Sequence, residues 1–131
     1  MSSRITDKER NLIKGALRRV FSRSELRQKV IAKSVIPNYF DPNRKRVKKW
    51  SICPVCQKHT PTYQMQADHV IPLIPLDKTL KDLSWDEIVD RLWCKESNLQ
   101  ATCISCHKIK SKAENKERRL FQKQRKKMLN K

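Results

Sequence analysis

The stretch Ser97-Asn98-Leu99-Gln100-Ala101-Thr102-Cys103-Ile104-Ser105-Cys106-His107-Lys108-Ile109-Lys110 contains the strongest fold signals of this chain. Residues 99–102 are suited to a short strand, and the lysine-rich sequence from about Ile104 onward predicts a long helix. Cys103 and Cys106 lie between these two elements, three positions apart. Because that spacing lets one turn point two sulfurs at one ion, the stretch predicts a strand and a helix joined at a metal-binding turn.

A second cysteine pair with the same spacing lies upstream, in Cys53-Pro54-Val55-Cys56. Two such turns supply four thiolates, which complete a structural zinc site that is closed to substrate. The 46 residues between Cys56 and Cys103 exceed the usual zinc-ribbon spacing, so buried or redox-active cysteines are the alternative. The fifth cysteine, Cys94, follows Trp93 and is expected to be a packed apolar residue.

A second informative stretch is Ala67-Asp68-His69-Val70-Ile71-Pro72-Leu73. Together with residues 97–110 it resembles the HNH endonuclease family, in which a histidine, an asparagine and a histidine follow one another along the chain. Those positions are His69, Asn98 and His107, and Asp68 precedes the first histidine as it often does in the family. The flanking cysteine pairs resemble the zinc-bearing branch common among bacteriophage enzymes. The strong resemblance covers residues 50–112.

The resemblance implies an α+β protein built on the ββα-metal fold, a short β-hairpin followed by a helix around one metal. Added to this module are the four-cysteine zinc site, N-terminal helices and a long basic C-terminal helix. The expected organisation is a basic helical N-terminal arm at residues 1–49, the nuclease module at residues 50–112, and a basic helix or tail at residues 113–131.

The resemblance also implies roles for the site residues. His69 is the expected general base, since a neutral imidazole with a pKa near 6.5 accepts a proton at physiological pH. Asp68 and His107 are expected to hold one catalytic cation, Mg²⁺ or Mn²⁺. Asn98 is expected to fix the loop that carries the base. Taken singly, these residues have simpler explanations: turn residues for Asp68 and Asn98, a core histidine for His69, and a spare zinc ligand or surface group for His107.

Charge distribution indicates a polyanionic partner. The net charge is +18, and residues 1–50 carry 15 basic and 4 acidic side chains, while residues 107–131 carry 11 and 2. Such self-repulsion is relieved by DNA or RNA, although a solvated basic surface or an anionic membrane would also suit it. By resemblance the partner is DNA, and Lys110 and Lys112 are the expected contacts. Because such contacts are to phosphates and no aromatic residue follows Phe121, weak sequence selectivity is expected.

Two other functions fit part of these signals. One is a zinc-stabilised module that binds nucleic acid without cutting it, and the other is an RNA nuclease that uses the same site. The sequence has no apolar run long enough to span a membrane and no signal-peptide core, so a cytoplasmic protein is expected. A role in phage packaging or recombination follows by analogy only, and the expected state is a monomer or weak dimer.

The remaining elements are predicted from periodicity and capping residues. We predict helices over residues 6–21, from Ser22 or Ser24 to about residue 33, and over residues 84–93. We predict a strand over residues 62–67, a loop over residues 35–50 and a packed loop over residues 70–76. The helix over residues 84–93 lengthens the interval between the two motif histidines, and it is expected to influence substrate preference without touching the chemistry.

Overall fold

The computed structural model describes residues 4–129, which begin with two capped helices. In α1 (Asp7–Phe21) the Thr6 hydroxyl accepts a hydrogen bond from the Glu9 N–H, and the Glu9 carboxylate accepts one from the Thr6 N–H. In α2 (Glu25–Lys33) the Ser24 hydroxyl accepts one from the Arg27 N–H. These side chains satisfy N–H groups that the first turn of a helix leaves unpaired. Both predicted helices are confirmed, and Ser24 is the second cap.

A small antiparallel sheet follows, made of β1 (Val35–Ile36), β2 (Trp50–Ile52) and β3 (His59–Pro61) in the order β1-β2-β3. The loop predicted for residues 35–50 is therefore wrong at both ends, where Ile36 pairs with Trp50. Strands of two or three residues are too short to show the alternation by which a strand is recognised.

A two-stranded sheet and a helix form the second half of the architecture. β4 (Met65–His69) pairs antiparallel with β5 (Leu99–Cys103), with Met65 opposite Cys103 and His69 opposite Leu99. The 26-residue helix α4 (Ile104–Leu129) begins directly after β5. The prediction of a strand and a long helix is confirmed. The strand predicted over residues 62–67 is displaced, because Thr62–Gln64 form a 3-10 turn and the strand begins at Met65.

The connection from β4 to β5 contains a third helix. After a proline-containing loop, α3 (Trp85–Leu92) begins at Ser84, which exchanges hydrogen bonds with Glu87 across the first turn. The predicted helix and packed loop are both present at this place. The Arg91 guanidinium donates to the carbonyls of Pro72 and Leu73, at 2.7 and 2.6 Å, and so ties the loop to α3.

The hydrophobic core lies where α1, α2 and α3 pack on the strands. It combines side chains from α1, α2, α3, β4, β5 and three residues of the connections, and α4 itself buries none completely. The buried members are Phe21, Val30, Cys53, Met65, Leu73, Leu83, Ile88, Leu92, Leu99, Ala101 and Cys103. Among residues 4–129 no helix combines the length and the apolar character that crossing a bilayer requires.

Candidate functional site

The four cysteines of the two matched pairs converge in space. Cys53 and Cys56 come from the turn between β2 and β3, Cys103 ends β5, and Cys106 lies in the first turn of α4. Their sulfurs all lie within 4.8 Å of one another, and the Sγ atoms of Cys56 and Cys103 are 3.8 Å apart. Four sulfurs at about 2.3 Å from one zinc ion are about 3.8 Å apart, whereas a disulfide requires about 2.05 Å. The cluster therefore has the dimensions of a zinc site.

Backbone N–H groups donate hydrogen bonds to two of these sulfurs and so favour their thiolate forms. The N–H groups of Cys103 and Cys106 donate to the sulfurs of Cys53 and Cys103, each at 3.4 Å. Burial opposes ionisation of the Cys53 thiol, but hydrogen bonds from the backbone of Cys103, Cys56 and Val55 lower its pKa to about 6. The hydrogen bond with the Cys103 thiol, together with burial, raises the pKa of Cys106 to about 12. Four thiolates therefore coexist here only when a cation compensates their charge.

Asp68 lies on β4 next to the first turn of α4. The side chain is buried, and its Oδ1 is 3.7 Å from Nε2 of His107. The Lys110 ammonium is 3.3 Å from each carboxylate oxygen, but it is aligned for a hydrogen bond only with Oδ1, so Oδ2 is buried without a hydrogen-bond partner. The same ammonium donates to the His69 carbonyl at 2.9 Å and to Glu114 at 3.1 Å. Lys110 thus compensates the charges of both carboxylates, Asp68 and Glu114.

His69 is held by groups from two helices. Its Nε2 lies 2.9 Å from the carbonyl oxygen of Leu92, the last residue of α3, and its ring packs on Phe21 of α1 with centroids 5.2 Å apart. Burial lowers the pKa of His69, and the nearby charge of Arg18 acts in the same direction. The neutral imidazole is therefore favoured near pH 7.

Asn98 joins the start of β5 to the loop after His69. Its side-chain oxygen accepts from the Ile71 N–H at 2.9 Å, its amide donates to the Ile71 carbonyl at 3.4 Å, and its own carbonyl accepts from the Val70 N–H at 2.8 Å. These three bonds hold the chain immediately beyond His69 against the neighbouring strand.

A cleft of about 520 Å³ collects the candidate residues. Its lining includes Asp68, His69 and His107, together with Lys14 and Arg18 of α1. The cleft thus combines basic side chains of α1 with one carboxylate and two imidazoles, a lining that can take an anion. Among residues 4–129, only the four cysteines form a group of three or more potential metal ligands, so Asp68 and His107 form a two-residue set.

The other sequence-predicted residues are placed as follows. Lys112 is exposed on α4, whereas the Lys110 side chain turns inward to Asp68. Cys94 packs partly buried against the core, apart from the sulfur cluster. α3 contacts His69 through the Leu92 carbonyl, and the expectation that this segment influences substrate preference without touching the chemistry stays a prediction.

Three contacts in this site were missed from the sequence. They are the Leu92 carbonyl, the Phe21 ring and the ion pair between Lys110 and Asp68. Only the last carried a usable signal, because an inward lysine three positions after His107 lies on nearly the same face of α4.

Comparison with models of protein families, with curated proteins and with solved structures finds no match to this chain.

Proposed function

We propose that this protein is a metal-dependent endonuclease of the HNH type that hydrolyses DNA phosphodiester bonds. The observation that carries the proposal is the convergence of Asp68, His69 and His107 on one cleft. Only Asp68 and His69 are neighbours in sequence, and His107 joins them through the pairing of β4 with β5.

The order of the elements supports the proposal. An antiparallel pair of strands followed at once by a helix, as in β4, β5 and α4, is the arrangement that the ββα-metal resemblance implies. Asp68 belongs to β4 and His107 to the first turn of α4, so the two candidate ligands come from the two ends of this unit.

The donor set fits a divalent cation. Two ligands of one ion at about 2.1 Å lie between roughly 3.0 and 4.2 Å apart, and the Asp68 and His107 atoms are 3.7 Å apart. Asp68 Oδ2 is a buried acceptor to which no hydrogen is donated, although the Lys110 ammonium 3.3 Å away compensates its charge; a divalent cation or a hydrogen-bond donor would satisfy it further. A bound Mg²⁺ or Mn²⁺ would supply charge stabilisation at the phosphate and at the leaving 3′ oxygen.

The protein's own contribution to the reaction is proton transfer by His69. A carbonyl oxygen only accepts, so the hydrogen bond with Leu92 requires that Nε2 carries the proton. The neutral ring then has its free electron pair on Nδ1, which makes no hydrogen bond to any other described residue. Nδ1 is therefore the atom that takes a proton from water as the water attacks phosphorus.

The test compares variants of two histidines on supercoiled plasmid. Zinc-loaded protein with added Mg²⁺ or Mn²⁺ should relax or linearise the plasmid, and omitting the added ion should prevent this. His69→Ala should slow cleavage by at least ~100-fold, the usual contribution of a general base. His59→Ala is the control, because His59 is exposed on β3 and stacks on Tyr39, outside the cleft. Intact plasmid after incubation with folded, zinc-loaded wild type and either ion would remove the nuclease assignment.

A second candidate is a zinc-stabilised module that binds nucleic acid without cutting it. The ion pair with Lys110 favours this candidate, because it already neutralises the carboxylate that a divalent cation would need. The plasmid experiment separates the two: the binding module retards plasmid in a gel and never changes its topology.

A further inference from the structure

The lining of the cleft also contains a cluster of three cations from two helices. Lys14 and Arg18 lie one turn apart on α1, and Arg118 approaches them from α4. The positive charges of Arg18 and Arg118 act directly on Lys14: after burial, they are the causes that lower its pKa. The three side chains line the same cleft and lie close enough for their charges to interact.

No acidic side chain neutralises this cluster. Within residues 4–129, none of the three cations forms an ion pair with Asp or Glu. The two acidic groups of the cleft, Asp68 and Glu114, both contact Lys110 instead. The cleft lining as a whole has five basic side chains against these two acidic ones: Lys14, Arg18, Arg27, Lys110 and Arg118.

Arg118 is held in a fixed orientation. One of its terminal nitrogens donates to the Ile74 carbonyl at 3.0 Å and the other to the Asn115 side chain at 3.2 Å, while its Nε is buried without an acceptor. A rigid guanidinium with unused donor capacity, placed next to two further cations, is suited to binding an anion such as phosphate.

From these contacts we infer that Lys14, Arg18 and Arg118 form a phosphate-binding site, and that a DNA strand lies in the cleft between α1 and α4. The N-terminal helix is then one wall of the DNA-binding surface, in addition to the exposed face of α4. Repulsion within the cluster costs stability in the free protein, and a bound phosphate relieves it. That this phosphate is the neighbour of the cleaved bond rests on the proposed function, whereas the DNA contact itself does not.

The experiment measures DNA binding by fluorescence anisotropy with a short fluorescein-labelled duplex. Zinc-loaded full-length protein is used without added Mg²⁺ or Mn²⁺, over a range of NaCl concentrations. The variant Lys14→Gln/Arg18→Gln should bind at least ~10-fold more weakly near physiological salt. Its plot of log affinity against log salt should be shallower by about 0.9 for each phosphate that it no longer neutralises. Arg118 is left in place because it also holds the loop at Ile74.

The matched control is Lys8→Gln/Arg19→Gln, which removes the same two charges from exposed positions of α1 outside the cleft. We expect it to weaken binding by less than ~3-fold, through the general loss of positive charge alone. Circular dichroism and zinc content are compared for all three proteins. Equal losses in the two variants, or no DNA binding by the wild type, would overturn the inference. Because binding is read without cleavage, an inactive protein that still distinguishes the variants would reject only the nuclease proposal.

Discussion

His69 shows how backbone groups select one chemical form of a side chain. The Leu92 carbonyl fixes the proton on Nε2, and the Phe21 ring and the surrounding core exclude water from one side of the imidazole. The carbonyl favours the charged ring and burial favours the neutral one, and the net direction is a lowered pKa. At neutral pH the ring is therefore available as a base.

The lowered pKa of His69 predicts the pH dependence of the proposed cleavage. Only the neutral imidazole accepts a proton, so kcat/KM should stay level as pH falls from 8 and should decline with a midpoint below about 6.5, the ordinary pKa of histidine. Arg18→Gln removes a charge that disfavours the imidazolium, so it should move this midpoint to higher pH. The measurement is the plasmid nicking rate against pH at fixed Mn²⁺, with Arg19→Gln as control. A midpoint above 6.5 in the wild type would contradict the role assigned to His69.

The residues of the candidate site differ in how visible they are in sequence. Asp68, His69, Asn98 and His107 can be named from the sequence, because their order and residue types carry chemical information. The Leu92 carbonyl carries no such information, because every residue has a backbone carbonyl. Only the fold determines which of these carbonyls contacts His69. Lys110 was expected to point at DNA, and its actual partner depends on the distance between α4 and β4. Whether the named residues catalyse a reaction stays a prediction.

At the scale of elements, α3 supports the site from the side. Its last carbonyl contacts His69, and Arg91 in its last turn holds two carbonyls of the loop that follows β4. The free carbonyls at the end of a helix are hydrogen-bond acceptors without partners of their own, which suits this use. A helix that lengthens the interval between the motif histidines thus contributes directly to the position of one of them.

The N-terminal cap of α3 allows a test of how much this helix is stabilised by its capping hydroxyl. Ser84→Ala removes the hydroxyl that accepts from the Glu87 N–H and should lower the free energy of unfolding by about 1 kcal/mol. Urea denaturation followed by circular dichroism gives the value. Ser97→Ala is the control, because Ser97 is exposed in the 3-10 turn before β5 and should change stability by less than ~0.5 kcal/mol. Equal stability of the two variants would show that the cap does not stabilise α3.

Helices were easier to predict than strands in this chain. Each of the helices α1, α2 and α3 has a capping hydroxyl and an apolar stripe. Both signals are local in the sequence, and the capping hydrogen bonds are present in the structure. The sequence does not predict the first sheet, because its strands have only two or three residues. Their register is set by pairing with each other and by no pattern within a strand. The predicted strand begins too early, because the alternation of residue types from Thr62 to Ala67 puts Tyr63 and Met65 on one face. In the structure the Tyr63 side chain is 71% exposed and Met65 only 1%. A 3-10 turn separates them.

At the scale of the whole molecule, the sulfur cluster joins the two sheets. Cys53 and Cys56 belong to the turn of the first sheet, while Cys103 and Cys106 belong to the end of β5 and the start of α4. The core of this basic chain is small, and mutual repulsion of 31 lysines and arginines opposes compactness. A zinc ion at this junction would stabilise both halves together.

Loss of one cluster thiol should therefore destabilise the whole fold. We expect Cys106→Ser to lose bound zinc and to lower Tm by on the order of 15 °C, which corresponds to at least ~4 kcal/mol. Cys94→Ser is the matched control, because Cys94 packs against the core but lies outside the cluster, and it should keep its zinc and lose only a few degrees. Thermal melts and zinc content by mass spectrometry give the result, and equal behaviour of the two variants would show that the cluster is not a structural metal site.

Cys106 and His107 are consecutive residues in the first turn of α4, and they point to different clusters. A strong chelator that removes an ion from the four sulfurs would also loosen the turn that carries His107. If the proposed cleavage occurs, its inhibition by such a reagent would reflect loss of the structural ion as well as loss of the proposed catalytic ion, and a simple titration with chelator would not separate the two. Dialysis against buffer that retains zinc but lacks magnesium and manganese separates their effects.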